Sequence, residues 1–279
     1  MSKGKKNIVT QDEIRAVSLK IFKKVLQVCN QLDIDVWVMY GTLIGAVRHK
    51  GFIPWDDDFD LVMKREDYDK FIEYCSKNKN ALFPYYIDHF STNPNYPFYI
   101  ARICDPGYIL KFDNMSYVSG MFIDLYPFDG MGDDLDYWRS NSNSNKYSRK
   151  IELIKALIWE RNFENPFIGS NLPKKVIRGL LGLYARTKSN DYWMYKIDKI
   201  ARTFSWNDSM YVAPVGWDNR VRGLKREWFA ETTWLKFEDI EVPVPIKYKE
   251  ILKEIYGNYM ELPPKSKQVA THFYTAYKK

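Results

Sequence analysis

Cysteine is scarce in this chain, and what there is lies far apart. The 279 residues hold three, Cys29, Cys75 and Cys104, with no Cys-x-x-Cys pair among them. That excludes a disulfide scaffold and a cysteine-bound zinc site, and a reducing cytoplasm is the expected setting. Histidine is equally thin, and His89 has no second His at metal-ligand spacing. No apolar run approaches the roughly 20 residues that a membrane span needs. The opening Met1-Ser2-Lys3-Gly4-Lys5-Lys6 is basic, but no apolar stretch follows it, so no secretory signal is expected. Helix-turn-helix, RRM and zinc-finger patterns are missing too. Lys and Arg outnumber Asp and Glu by 42 to 35, giving +7, yet the basic residues are scattered rather than gathered. Nucleic acid is therefore not the expected partner. An enzyme that uses a nucleotide and faces an anionic polymer or lipid suits the charge better.

Against these absences stand ample core material and one unusual segment. Hydrophobic residues make up 46% of the chain, the balance of a globular protein with a full core. Aromatics reach 16%, a surplus that can line sugar, choline or membrane-interface surfaces as well as cores. The unusual segment starts at Ile34 to Tyr40, whose apolar, β-branched and aromatic run predicts a buried strand. Gly41-Thr42 breaks it, and Leu43 to Arg48 has the composition of one or two helical turns. Thr42 is the predicted N-cap, with the amides beyond it offering an anion site. Gly41, lacking a Cβ, would let a phosphate come close.

Pro54-Trp55 then leads into Asp56-Asp57-Asp58-Phe59-Asp60-Leu61-Val62-Met63. On a strand, Asp56, Asp58 and Asp60 would share one face while Phe59, Leu61 and Met63 pack on the other. An acidic run is most often a solvated loop. Here it sits between apolar stretches, where three carboxylates repel unless a cation neutralises them. Oxygen ligands without nearby His or Cys suit a hard divalent ion, Mg²⁺ first and Mn²⁺ second.

The string GTLIGAVRHKGFIPWDDDFDLVMKREDYDKF, residues 41–71, resembles the LicD phosphotransferases, whose animal relatives include the fukutin-type enzymes. The Gly-Thr turn followed by Asp58-Phe59-Asp60 is also similar to the wider nucleotidyltransferase fold. That resemblance implies a third metal carboxylate on the following strand. Phe122-Ile-Asp-Leu-Tyr-Pro-Phe-Asp129 matches the corresponding LicD segment, which makes Asp124 the third ligand. Burial of a lone Asp in an apolar strand would otherwise be costly. Asp129, after Pro127, is expected in a turn. The closing Tyr256 to Gln268 segment, with His272 behind it, again resembles the LicD pattern.

Around this centre the periodicities supply a frame. Thr10 and Glu13 predict a capping box, opening a helix to Leu32 whose Ile14, Val17, Ile21, Phe22, Val25, Val28, Cys29 and Leu32 form one apolar face. A second covering helix runs from Arg65 to Cys75, with Arg65 and Glu66 on its solvated first turn. Arg102, on an alternating strand, could reach a phosphate or pair with an acid, and His89 is read as an ordinary surface or core histidine. Gly132 to Ser148 is polar and marks a boundary. The expected fold class is α+β: a nucleotidyltransferase-like mixed sheet covered by helices over residues 1–131. A mainly helical C-terminal lobe, residues 132–279, packs on it. Within that lobe Leu172 to Arg186 places Val176, Ile177, Leu180, Leu181 and Tyr184 on one stripe edged by Lys174, Lys175 and Arg178. That is the pattern of an interfacial helix and also of a packed one.

The resemblance implies transfer of a phospho-alcohol, choline phosphate first, from a CDP-alcohol such as CDP-choline to a sugar hydroxyl of a lipid-linked or polymeric surface glycan or teichoic acid precursor, releasing CMP. Asp56, Asp58, Asp60 and Asp124 would hold Mg²⁺, and Asp124 would also accept the acceptor's proton. Gly41, Thr42, Arg48 and Arg102 would bind phosphate, and Trp55 would either face the choline ammonium or prop the strand. The expected location is cytoplasmic, with peripheral contact at the inner face of the membrane. The same metal frame serves a true nucleotidyltransferase that releases pyrophosphate. A non-catalytic glycan-binding module would be expected to have lost the carboxylates, and all are present.

Overall fold

The computed structural model describes residues 8–137, 146–164, 172–217, 222–269 and 274–279. Helix α1 (Gln11–Leu32) begins as the sequence predicts, Thr10 Oγ1 accepting from the Glu13 amide at 3.3 Å. The reciprocal half of the box is not made. Glu13 instead accepts from Tyr108 at 2.8 Å and Lys278 at 3.0 Å, which ties the helix start to the sheet. The predicted apolar face is buried from Ile14 to Cys29, while Leu32 is only half-buried.

The strand expected over Ile34 to Tyr40 shrinks to β1 (Trp37–Val38), because Tyr40 takes a left-handed φ of 52° and turns the chain into α2 (Tyr40–Ile44). A π-helical turn, Gly45–His49, continues it. Next come β2 (Asp60–Lys64), α3 (Arg65–Lys77), β3 (Tyr86–Asp88), β4 (Ala101–Phe112) and β5 (Val118–Gly130). The polar stretch 138–145 lies outside the described residues. Helices α4 (Lys146–Asn162), α5 (Leu172–Arg186) and α6 (Asn190–Ala201) follow. The chain then gives β6 (Tyr211–Ala213), β7 (Leu224–Lys225), β8 (Thr232–Phe237), β9 (Ile240–Pro245), α7 (Tyr248–Tyr256) and β10 (Tyr274–Lys278).

The main sheet runs β1-β2-β5-β4-β10, with β3 on β4 and β6 and β7 continuing from β5. β2 and β5 are parallel and the remaining pairs antiparallel, so the sheet is mixed and the fold α+β. One apolar cluster gathers α1, the sheet, the β8–β9 hairpin and α7. A second gathers α4 and α6 with Phe90, Tyr96, Phe98 and Tyr99. Chain order and packing are therefore interleaved: β10, near the C-terminus, zips onto β4 from Tyr274↔Phe112 to Lys278↔Tyr108.

Two charged residues depart from expectation. Arg65, predicted on a solvated first turn, is buried, and Asp129, predicted in a turn, lies buried within β5. They bond to each other at 2.6 Å, and Arg65 also reaches Asp198 of α6 at 3.2 Å and the Tyr99 hydroxyl at 2.8 Å. Each offsets the other's desolvation, which lets both sit inside.

Candidate active site

The Gly41-Thr42 turn is fixed to the acidic run by one hydroxyl. Thr42 Oγ1 accepts from the Asp60 amide at 2.9 Å and donates to the Asp58 carbonyl at 3.5 Å. Thr42 is thus not the N-cap: Met39 holds that position, and the Leu43 amide already bonds the Met39 carbonyl at 3.2 Å. The predicted anion site in this five-residue helix is not formed. Gly41 does allow a close approach, but by a carboxylate of its own chain. A Cβ there would meet Asp56 Oδ2 at 2.5 Å.

Residues Asp56 to Phe59 are extended loop rather than strand, and β2 begins only at Asp60. Asp56 Oδ1 accepts from the amides of Asp57 and Asp58, forming a local turn. From outside the loop, Arg15 of α1 donates to the carbonyls of Ile53, Pro54 and Asp56 at 2.8–3.1 Å. The Asp124 amide bonds the Phe59 carbonyl, so the loop already lies against β5.

Sheet register then assembles the charges. Asp60 pairs with Asp124, Asp124 with Arg102, and Arg102 with Asp88, giving one row across β2, β5, β4 and β3. Such cross-strand neighbours share a face. Arg102 Nε donates to Asp124 Oδ1 at 2.8 Å. Its guanidinium carbon stands 3.9 Å from the Phe98 ring centre and 3.8 Å from that of Phe122, so Arg102 is clamped between aromatic faces. Its Nη1 is buried and has no hydrogen-bond partner among the described residues.

Burial pushes the Asp58 carboxyl well above the usual carboxylate range, and repulsion from Asp124, Asp56 and Asp57 adds to it, opposed by Arg102. Asp60 is pushed up likewise, by burial first and then by Asp58, Asp124 and Asp56, against a hydrogen bond from Tyr126 at 3.2 Å. A divalent cation would reverse this cost, and carboxylate oxygens are the donors it prefers. The donor chemistry fits a hard ion. No three His, Cys, Asp or Glu side chains among the described residues are closed to ligand spacing, and Asp124 is held by Arg102.

Asp58, Arg102 and Asp124 face a cavity of about 810 Å³. Tyr126, Trp217 and Tyr274 flank them, and Phe98, Phe112, Phe122, Trp159 and Phe163 carry its wall onward. Two residues proposed from sequence lie elsewhere. Arg48 donates to the carbonyls of Tyr259 at 2.7 Å and Glu261 at 3.2 Å and does not line the cavity, so it anchors the C-terminal segment. Trp55 packs edge-on to His49 and borders a separate groove with Asp57 and Tyr274. His89 is buried beside Tyr68 and Phe90. His272 lies outside the described residues.

Sequence reading missed Arg15, Tyr126, Trp217 and the Phe98–Phe122 clamp. Phe122 and Tyr126 were within reach, since both lie two residues from Asp124 on a strand and so share its face. Nothing local points to Arg15, whose partners are carbonyls 38 to 41 positions away.

Comparison with known proteins follows the same residues. Residues 33–159 match the family model described as LicD/FKTN/FKRP, nucleotidyltransferase domain. Over 278 residues, 96% of this chain and 98% of the relative, the sequence is 26% identical to the lipopolysaccharide cholinephosphotransferase LicD of Haemophilus influenzae. Shorter matches, each about a fifth of either chain, join it to uncharacterized proteins of Rickettsia typhi and Rickettsia prowazekii, both at 43% identity. The acidic turn and the Asp124 strand both fall within the matched residues, and the chain is similar almost end to end to a LicD family enzyme.

Proposed function

We propose that this protein is a Mg²⁺-dependent phosphotransferase that moves phosphocholine, or a similar phospho-alcohol, from a CDP-alcohol to a sugar hydroxyl of a cell-surface glycan, releasing CMP. The observation that carries this reading is the charge row Asp60–Asp124–Arg102, opening with Asp58 onto a large aromatic-walled cavity. The full-length likeness to a cholinephosphotransferase supports the transferred group. Asp58, Asp60 and Asp124, with Asp56 beside them, would hold the cation, which when bound neutralises the phosphoryl oxygens of the donor.

The chain's own groups do the rest. Arg102, fixed between Phe98 and Phe122, has one guanidinium nitrogen without a partner, suited to a donor phosphate oxygen. Asp124, aligned by Arg102 through Oδ1, keeps a second oxygen for the proton that leaves the attacking hydroxyl. Tyr126, Trp217 and Tyr274 supply aromatic faces close to these charges, a better place than Trp55 for a quaternary ammonium, at roughly 0.5–2 kcal/mol per contact. Aromatic enclosure also keeps water, the competing nucleophile, away from the donor.

Turnover of CDP-choline with a glycan acceptor tests the reading. CMP should appear in step with acceptor modification, and CDP-glycerol should compete less well than CDP-choline. Release of pyrophosphate from a nucleoside triphosphate, with CDP-choline inert, would make the protein a true nucleotidyltransferase instead.

A further inference from the structure

Helix α5 is amphipathic the wrong way round for a helix in water. Its inner side carries small and polar groups. Arg178 pairs with Glu160 of α4 at 2.6 Å, a Cβ on Gly182 would lie 3.2 Å from the Glu160 carbonyl, and the buried Ala185 accepts from Trp193 of α6. The outer side carries Val176, Ile177, Leu180, Leu183 and Tyr184, each between 55% and 64% exposed. The spacing i, i+1, i+4, i+7, i+8 puts all five on one stripe. Leu181, expected on that stripe, is half-buried, and Arg178, expected at its edge, has turned inward.

Two further observations say what covers this face. The helix has no acidic residue; of its four basic ones Arg178 pairs inward with Glu160 and Arg186 donates to the carbonyls of Arg161 and Phe163, while Lys174 and Lys175 lie at the start of the stripe. Two copies of such a face would bring like charges together, whereas an anionic bilayer supplies the opposite charge and an apolar layer at once. The helix also adjoins the candidate active site through its inner side. Trp159 lines the cavity while half its surface meets solvent, its ring lies 5.0 Å from Phe163, and the Arg178 guanidinium lies 5.6 Å from Phe163.

We propose that the outer face of α5 seats the enzyme on an anionic membrane surface, with Trp159 bringing the cavity to the bilayer. The seat presents the cavity to a lipid-anchored acceptor. Among the described residues no helix is long and apolar enough to cross a membrane. Attachment through a few basic residues and one short apolar stripe is reversible and weakened by salt.

Flotation of the full chain with phosphatidylglycerol–phosphatidylcholine vesicles tests the seat without any turnover, so its result is separate from that of the transferase assay. Wild type should float at low salt, and should stay down with phosphatidylcholine alone or at about 1 M NaCl, where the screening length is ~3 Å. Ile177→Glu/Leu180→Glu should abolish flotation. Lys174→Glu/Lys175→Glu, which leaves the Arg178–Glu160 pair intact, should weaken it at least 25-fold, at about fivefold per charge. Both variants change exposed or edge positions, and an unchanged melting curve verifies their fold. Wild type that never floats, or variants that float as well as wild type, would overturn the proposal. A dimer in sedimentation that Ile177→Glu/Leu180→Glu dissolves, without vesicle binding, would reassign the face to a second copy.

Discussion

Asp58 and Asp60 are carboxylates placed where their charge is costly. Both are pushed well above the ordinary range by burial and by their acidic neighbours. A carboxylate whose folded pKa exceeds its unfolded value stabilises the fold while protonated and loses that contribution as pH rises through the folded value. At pH 7–8, with the cation stripped by EDTA, Asp58→Asn should therefore raise Tm above wild type, and the gap should close as pH falls toward the unfolded carboxylate value. The same change should cut kcat by about 10²-fold or more, since the proposed cation site loses a carboxylate. Near-normal turnover at saturating Mg²⁺ would remove Asp58 from the site. These residues were legible because an acidic run between apolar stretches is a local anomaly, and the family resemblance supplied Asp124. Arg48 and Trp55 misled because adjacency in sequence was read as adjacency in space. Arg48 leaves the turn toward Tyr259 and Glu261, and Trp55 faces the groove beside the cavity.

At the scale of elements, period alone recovered α1 and α3 to within a few residues, because each buries a continuous apolar face. The strand before the Gly-Thr turn was overestimated. The apolar run Ile34 to Tyr40 satisfies burial, but the left-handed Tyr40 ends pairing after two residues. The role of α1 was also underestimated, for besides covering the sheet it holds the acidic loop through Arg15. Three carbonyls share one guanidinium, and the Phe52 ring lies 5.4 Å below it. Arg15→Met keeps the stem and removes the fork, so the loop carrying Asp56 and Asp58 should loosen. Such charge-assisted bonds contribute about 1.5–3 kcal/mol, and Tm should fall accordingly. The Mg²⁺ concentration for half-maximal turnover should rise about tenfold for every 1.4 kcal/mol lost from cation binding. Arg15→Lys should not restore it, because an ammonium cannot span the three acceptors. A lowered Tm with unchanged Mg²⁺ dependence would reduce Arg15 to a purely structural strut.

At the scale of the molecule, the sheet and the helices are joined by an ionic network, buried at Arg65, Asp129 and Asp198, that no local pattern announces. Arg65 on α3 bonds Asp129 on β5 and Asp198 on α6, and Arg202 links Asp198 back to Asp69 on α3. Its members are spread over 64 to 133 positions, which is why sequence assigned Arg65 to a solvated helix start and Asp129 to a turn. Burial raises the Asp129 carboxyl to about 6 even with Arg65 beside it to pull it down. Removing the guanidinium leaves Asp129 charged and uncompensated, so Arg65→Met should destabilise the protein by about 3–5 kcal/mol at pH 8. The sign with pH follows from the same group. Without Arg65 the Asp129 pKa rises further above its unfolded value, so the variant regains stability by protonation as pH falls, and its deficit should shrink from pH 8 to pH 5.5. Arg65→Met/Asp129→Asn should recover a large part of the loss at pH 8 and remove the share of the pH dependence that Asp129 causes, Asp198 keeping Arg202 as its partner. Chemical denaturation across that range, on wild type and both variants, measures the effect. A pH-independent deficit in Arg65→Met would mean that lost packing of Arg65 against Tyr68, not its charge, holds the sheet and α6 together.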